Sequence, residues 1–283
     1  MAKNSSIEWT DHTFNPWWGC SKVSPGCNNC YAETWAQRLG LKVWGQQKDR
    51  RFFTDKHWQE PLRWNADAQK EKRRKRVFCA SMADVFEDRE DLIVWRERLW
   101  KLIPKTTWLD WLLLTKRPQN VGRMVPWTTG WPENVWLGTT VEDQLRAVER
   151  VPLLLKHGAR TRFLSCEPLI GAVDLGPWIG RTREPSLYTI DWVIAGGESG
   201  PKARAMLPGW ARGLRDQCRR DSIPFHFKQW GHWAPTQRIV QSATVRKFWD
   251  DISGEEILME AKGKKDAGRR LDGITWDELP KAA

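Results

Sequence analysis

Cys20, Cys27 and Cys30 stand in a C-x6-C-x2-C arrangement within the stretch TFNPWWGCSKVSPGCNNCYAE, residues 13–33. Three thiolates concentrated in one loop form a ligand set for a soft metal. A structural zinc site closes with four protein ligands. Three local cysteines instead suit a cubane iron–sulfur cluster that leaves one iron open to a small molecule, which is how a radical S-adenosylmethionine enzyme holds its cosubstrate. The loop alone also admits half of a zinc knuckle or a redox pair, with Cys166 or His12 able to supply a fourth ligand. Cys79, Cys166 and Cys218 are scattered in or beside apolar segments. A free cysteine packs as a small hydrophobe, so core filling is expected of Cys79 and Cys218. Cys166, followed by Glu167 and Pro168 at an expected strand end, is a catalytic candidate.

The elements that must position this loop follow from the apolar runs. Val77–Ser81, Trp111–Thr115, Val135–Thr139, Arg162–Ser165, Trp192–Ala195 and Phe225–Lys228 read as short buried strands. Between them, Asp91–Ile103, Pro118–Met124, Glu142–His157 and Pro208–Arg220 read as helices. A first strand is expected at Thr13–Trp18, weakened by Pro16, and a first helix at Tyr31–Leu39. Strands alternating with helices imply a parallel sheet. The expected fold is therefore α/β, a full or partial parallel β/α barrel of the radical-enzyme type, with a doubly wound open sheet as the competitor. Residues 1–231 would form the barrel, with an insertion at 41–76. Residues 232–283 would form a small appendage with a hairpin around Asp251–Ile257.

In such a barrel the site lies at the C-terminal ends of the strands. After Cys79 come Ser81 and Asp84; after Leu114, Thr115, Lys116 and Arg117; after Gly138, Thr139, Thr140 and Glu142. Ser165, Cys166 and Glu167 end the next strand, Gly196, Gly197, Glu198 and Ser199 the one after, and Lys228, Gln229 and Trp230 the last. Ser81, Asp84, Thr140, Glu142, Gly196, Gly197, Glu198 and Ser199 are candidates for holding a cofactor. Cys166, Glu167 and Lys228 are candidates for catalysis. Lys116, Arg117 and Trp230 are candidates for binding substrate. Each also reads as an ordinary loop residue, and only their convergence is informative. The five histidines form no HExxH or HxH pattern, and no G-x-S-x-G, P-loop or G-x-G-x-x-G occurs after the first strand.

The net charge of +11 over 283 residues favours a polyanionic partner, nucleic acid above all. Lys70–Arg76 is the densest basic run, and Lys72, Arg73, Arg74 and Arg76 are its candidate phosphate contacts; a solvated helix face is the plainer reading. Twenty-one tryptophans against nine phenylalanines and two tyrosines could stack bases, Trp58 and Trp64 beside the basic run among them, or could fill cores. Apolar runs such as Trp111–Leu114 are too short to span a bilayer, and the first ten residues lack a signal-peptide core. The expectation is a cytoplasmic protein with no membrane partner, where thiols stay reduced and clustered cysteines are ligands.

Several motifs, in order, resemble the phage Gp37/Gp68-like family of three-Cys-motif proteins. They are Ile7–Asp11, Asn15–Pro16, Gly19–Cys20, Lys22–Cys27, Cys30–Glu33, Leu114–Pro118, Gly138–Glu142, Ser165–Leu169, Gly196–Gly200, Phe227–Gly231 and Gly268–Gly273. The resemblance implies a relation to radical S-adenosylmethionine enzymes. It implies a [4Fe-4S] cluster on Cys20, Cys27 and Cys30, with S-adenosylmethionine on the open iron and an electron donor such as flavodoxin or ferredoxin. It implies modification or repair of nucleic acid. The sequence departs from the usual radical-enzyme pattern: six residues rather than three separate the first two cysteines, Asn29 rather than an aromatic precedes Cys30, and Gly-Gly-Glu falls four strands later than usual. Two other classes fit the same residues. One is a zinc-stabilised nucleic-acid-binding protein without catalysis, and the other a radical enzyme acting on a peptide or small metabolite.

Overall fold

The computed structural model describes residues 2–127, 130–180, 189–200, 202–237 and 244–280. The chain divides into two compact units. The first comprises Met1–Ser24, Ala32–Thr139 and Leu153–Arg162, and the second Pro25–Tyr31, Thr140–Pro152 and Phe163–Ala283.

The first unit carries β1 (Ala2–Lys3), β2 (His12–Thr13), α1 (Tyr31–Arg38), α2 (Asp55–Trp58), α3 (Glu60–Lys70), β3 (Lys75–Cys79), α4 (Ile93–Leu102), β4 (Leu109–Thr115), α5 (Val121–Met124) and β5 (Val135–Thr140). β4 and β5 are buried almost throughout, as is the C-terminal half of β3. Unbroken burial is expected of parallel strands covered on both faces. His12 pairs with Val77, Val77 with Trp111 and Trp111 with Val135, all in parallel register, while β1 runs antiparallel to β2. Segment 41–76 contains α2 and α3 and leads into β3. Its Trp58 and Trp64 are 2% and 1% exposed, so both are core residues and neither offers a face for stacking bases. Trp58 lies edge-on to Phe14, and Trp64 stacks on His12.

The expected strand at Thr13–Trp18 ends at Thr13. Pro16 has no N–H to donate, and Asn15 turns its side chain to the Met82 N–H (2.7 Å) and to Ser81 Oγ (3.0 Å). One further bond, Phe14 N–H to Phe78 O, closes the ladder. Helix α4 starts later than expected because residues 90–92 form a 3-10 turn.

The second unit carries α6 (Gln144–Leu154), β6 (Thr161–Cys166), β7 (Trp192–Gly196), α7 (Pro208–Arg220), β8 (Phe225–Gln229), β9 (Trp233–Pro235), β10 (Val245–Asp250), β11 (Glu255–Ala261) and α8 (Lys264–Ala267). Helix α7 starts on a proline, which suits a first-turn position, and buries Ala211, Leu214 and Cys218. The C-terminal segment holds a three-stranded antiparallel sheet in the order β10–β11–β9 around Trp233 and Met259. The β10–β11 hairpin matches the expected turn, whereas β1 and β9 have no clear sequence signal. Fully buried Asp250 joins the hairpin to α7 by accepting the Gly209 N–H at 2.6 Å.

Strands β1 to β8 lie in one sheet in sequence order, with β2 to β8 parallel. A doubly wound sheet reverses its strand order at a switch point; this sheet does not. The fold is α/β, with the strand order of a partial β/α barrel.

Candidate functional site

The loop cysteines differ from the rest in exposure. Cys20, Cys27 and Cys30 are half-buried, whereas Cys79, Cys166 and Cys218 are fully buried. Burial raises the thiols of Cys79, Cys166 and Cys218 above the ordinary range. Cys166, a catalytic candidate from its strand-end position, is fully buried.

In the first unit, Cys20 and Ser21 are held by a buried charged network. Arg117, after β4, places Nη1 3.6 Å from Cys20 Sγ and 2.9 Å from Asp84 Oδ2, while Nη2 donates to Ser21 O at 2.8 Å and Ser21 Oγ at 2.9 Å. Asp84 also accepts from Thr115 Oγ1 at 2.7 Å, Lys116 N–H at 3.0 Å and Phe86 N–H at 3.0 Å. Its carboxylate is thus used within the chain. Burial works against the Arg117 charge, and Asp84 and Cys20 more than offset it, so its pKa lies above the ordinary arginine value. Burial pushes the Cys20 thiol up to about 12, against the lowering pull of Arg117.

Behind this pair lies a second one. Arg50 grips Glu87 through Nε (3.1 Å) and Nη2 (2.8 Å), with the two side chains 0% and 3% exposed. Glu87 also accepts from Ser21 Oγ at 2.7 Å. Arg50 Nη1 donates to the carbonyls of Val43, Gly45 and Lys48, and the Gly45 N–H donates to Cys20 O. Gly19, with φ +115°, must be glycine, since a Cβ would lie 2.3 Å from Val43 O.

In the second unit, residues 25–29 are held by two carboxylates. Glu198 Oε2 accepts from Asn29 Nδ2 at 2.9 Å, and Arg204 binds both Glu198 oxygens (2.5 and 3.0 Å) while donating to Pro25 O at 3.0 Å. Burial alone would raise the Glu198 pKa, but Arg204 and Asn29 hold it below the ordinary value. Glu142, fully buried, pairs with Arg150 at 2.8 Å and accepts the Gly26 N–H at 3.3 Å. Arg150 also donates to the carbonyl of Thr140, which is itself buried. Gly196 and Gly197 serve packing: a Cβ on Gly197 would lie 1.9 Å from Trp230 O, and one on Gly196 2.7 Å from Glu167 Oε1. Ser199 accepts from Gln229 at 3.2 Å. Glu167 pairs with Lys228 at 2.9 Å. Trp230 is buried and donates its indole N–H to Arg270 O, so it ties down the C-terminal segment.

The basic run is largely neutralised within the first unit. Arg73 and Arg76 pair with Asp11, Arg74 with Asp110 and Lys75 with Glu71, which leaves Lys70 and Lys72 exposed, Lys72 at φ +51°. The run also enters β3 at its N-terminal end. Ser81 and Asp84 follow the other end, about 16 Å away for five residues at roughly 3.3 Å each. Lys116 is half-buried and gives its backbone N–H to Asp84.

Three thiols match a thiolate-ligated cluster in donor type and number only. Among the described residues no three His, Cys, Asp or Glu side chains are gathered closely enough to hold a metal ion. Arg50, Glu87, Asn29, Arg150 and Arg204 were not singled out by sequence. Glu87 had a detectable signal, as the next acid after Asp84 at the end of a strand; Arg50 and Arg204 had none.

No helix among the described residues is long and apolar enough to cross a membrane. The model of the family described as "Protein of unknown function (DUF5131)" matches residues 4–280, and the chain belongs to that family. None of the curated proteins matches the sequence. Solved structures that match include a spore photoproduct lyase variant with bound AdoMet and dinucleoside spore photoproduct. It is 13% identical, covers 89% of this chain and 69% of its own, and has a TM-score of 0.43. A second variant of that lyase is 11% identical, covers 92% and 70%, and also scores 0.43. The lyase complexed with dinucleoside spore photoproduct is 11% identical, covers 87% and 67%, and scores 0.37. Likeness at this level carries no information on the chemistry of this chain.

Proposed function

We propose that this member of the family is a radical S-adenosylmethionine enzyme that acts on nucleic acid, in modification or repair. Cys20, Cys27 and Cys30 would hold a [4Fe-4S] cluster. The observation that carries this reading is the contrast within the cysteines: three half-buried thiols in one loop after the first parallel strand, and three others sealed in the core. The resemblance of its motifs to those of the Gp37/Gp68-like three-Cys proteins points the same way. Held by these cysteines, such a cluster would supply the single electron for reductive cleavage of S-adenosylmethionine to methionine and a 5′-deoxyadenosyl radical, with flavodoxin or ferredoxin as donor class.

The chain's own residues have the tasks of holding and shielding. Arg117 and Glu87 fix Ser21 and orient Cys20. Glu198 and Glu142 fix residues 25–29. Lys228 and Glu167, partly exposed at strand ends, are the pair available for proton transfer.

For the partner, the net charge supports nucleic acid, and the internal pairing of Lys70–Arg76 moves the contact elsewhere. Arg98, Lys101 and Lys105 line an open cleft of about 170 Å³ with Trp58, Leu62 and Leu102. Lys101 and Lys105 have no carboxylate partner among the described residues. This cleft is the better candidate for a phosphate contact.

The test is to incubate reduced, cluster-loaded protein with S-adenosylmethionine and assay 5′-deoxyadenosine. Slow release without substrate, stimulated by DNA or RNA, is expected. Loaded protein that neither binds nor cleaves S-adenosylmethionine would end the proposal, and stoichiometric zinc in its place would favour a non-catalytic binding protein.

A further inference from the structure

Helix α4 carries cations along one face. Arg98 and Lys101 are three residues apart, and Lys105 follows four later in the 3-10 turn Ile103–Lys105 that continues the helix; residues three and four apart share a helix face. With Trp58, Gln59, Leu62 and Leu102 they line the open cleft of about 170 Å³. The cations are not alike. Lys101 and Lys105 are exposed and have no carboxylate partner among the described residues. Arg98 is braced: its Cζ lies 4.6 Å over the Trp58 ring, and Nη2 donates to Asp55 Oδ1 at 2.6 Å. Its side chain is still 36% exposed. Trp58 is 2% exposed, so the indole is the support and the guanidinium is what the cleft presents. Leu62, itself 36% exposed, supplies an aliphatic wall. The cleft thus combines two unpaired point charges, a fixed planar cation and an apolar surface. A bare anion would use the charges alone; the plane and the apolar wall suit a flat ring joined to phosphates.

We propose that this cleft holds one unstacked nucleotide of a single strand, with Lys101 and Lys105 on its flanking phosphates and Arg98 and Leu62 against its base. The site rests on the nucleic-acid reading of the partner and involves no metal. Lys101 and Lys105 are about 6–8 Å apart along the axis, four residues at 1.5–2.0 Å each, close to the separation of successive phosphates in an extended strand. Bases outside a helix stack on guanidinium planes as well as on aromatic rings. Trp58 and Asp55 already hold the Arg98 guanidinium, so little side-chain freedom is lost when a base arrives. In a duplex the bases are paired and stacked inside, and only the phosphate contacts remain open to the cleft. A lysine in place of Arg98 would keep the charge and lose the plane.

Fluorescence anisotropy at low salt compares three ligands of equal length: a single-stranded oligodeoxynucleotide of mixed sequence, the same backbone with abasic sites in place of its bases, and a duplex. No reductant or cofactor is added, so the outcome does not depend on a cluster. Wild type is expected to bind the normal strand about 5–150-fold more tightly than the abasic one, the worth of one stacked base, and more tightly than the duplex. Arg98→Lys is expected to remove most of that preference while leaving the abasic affinity and the salt slope unchanged. Lys101→Gln with Lys105→Gln is expected to do the reverse, flattening the log–log salt slope on single strands by about 1.4 with the preference retained. A purely structural role for Arg98 would weaken all three ligands alike. If wild type binds the abasic strand or the duplex as tightly as the normal strand, the inference is overturned whatever the variants do. If Arg98→Lys keeps the full preference, the cleft is overturned while the nucleic-acid reading stands. If no strand binds at low salt, the nucleic-acid reading falls first and the cleft with it.

Discussion

Replacing Glu87 by Gln keeps the side chain's shape and removes the carboxylate that grips Arg50 through two donors. The Arg50 and Glu87 side chains are 0% and 3% exposed, so neither charge can recover its hydration in place. Breaking such a buried pair from one side costs about 3–5 kcal/mol, because the remaining charge is left uncompensated. Against a total stability of about 5–15 kcal/mol, that is a large fraction. The loss should be concentrated near the cysteine loop, since Arg50 also holds the carbonyls of Val43, Gly45 and Lys48, and Gly45 holds Cys20. Replacing both partners by apolar residues, as in Arg50→Met with Glu87→Leu, should recover much of the loss, because no orphan charge remains. Urea unfolding followed by tryptophan fluorescence gives the stabilities. Glu87→Gln within about 1 kcal/mol of wild type, or a double variant no more stable than the single one, would refute the reasoning about burial.

Glu198→Gln should loosen residues 25–29 and cost about 1.5–3 kcal/mol, the worth of hydrogen bonds to a charged group, read as faster proteolysis within the loop. The folded-state pKa of Glu198 is depressed, so its contribution is full above the ordinary glutamate pKa of about 4.3 and fades as pH falls through the lowered value; the gap between wild type and variant should therefore close in acid. Gly197→Ala should cost about 3 kcal/mol or more, since the new Cβ would meet the Trp230 backbone oxygen at 1.9 Å, and an unchanged urea midpoint would contradict the packing. Lys101→Gln with Lys105→Gln should flatten the log–log salt slope of single-strand binding by about 1.4, two contacts at roughly 0.7 each, whereas the charge-matched control Lys264→Gln with Lys265→Gln should leave it unchanged.

The order of strands and helices was legible because buried parallel strands are short apolar runs and each was followed by turn residues. The first strand was overextended because Asn15 ends it by bonding to Ser81 and Met82, 66 and 67 residues away. The cysteine loop was visible from spacing, and the polar strand ends from position. What those strand ends do was not visible. Arg117 and Asp84 are 33 residues apart and Arg204 reaches back 179 residues to Pro25, so neither network leaves a local pattern. Glu198 read as a ligand for a cosubstrate, but its oxygens are taken by Arg204 and Asn29. The basic run read as a polyanion surface because its partners Asp11 and Asp110 are distant in sequence. Trp58 and Trp64 read equally as stacking or core residues, and burial decides for core.

The central claim is that the three half-buried cysteines hold an iron–sulfur cluster. Its most direct test is iron and acid-labile sulfide per chain after anaerobic reconstitution, in wild type and in Cys20→Ala, Cys27→Ala, Cys30→Ala and Cys218→Ala. The account predicts about four irons and four sulfides in wild type and in Cys218→Ala, and loss of the cluster in each of the other three. Stoichiometric zinc with no iron uptake, or a cluster that survives all three loop substitutions, would contradict it.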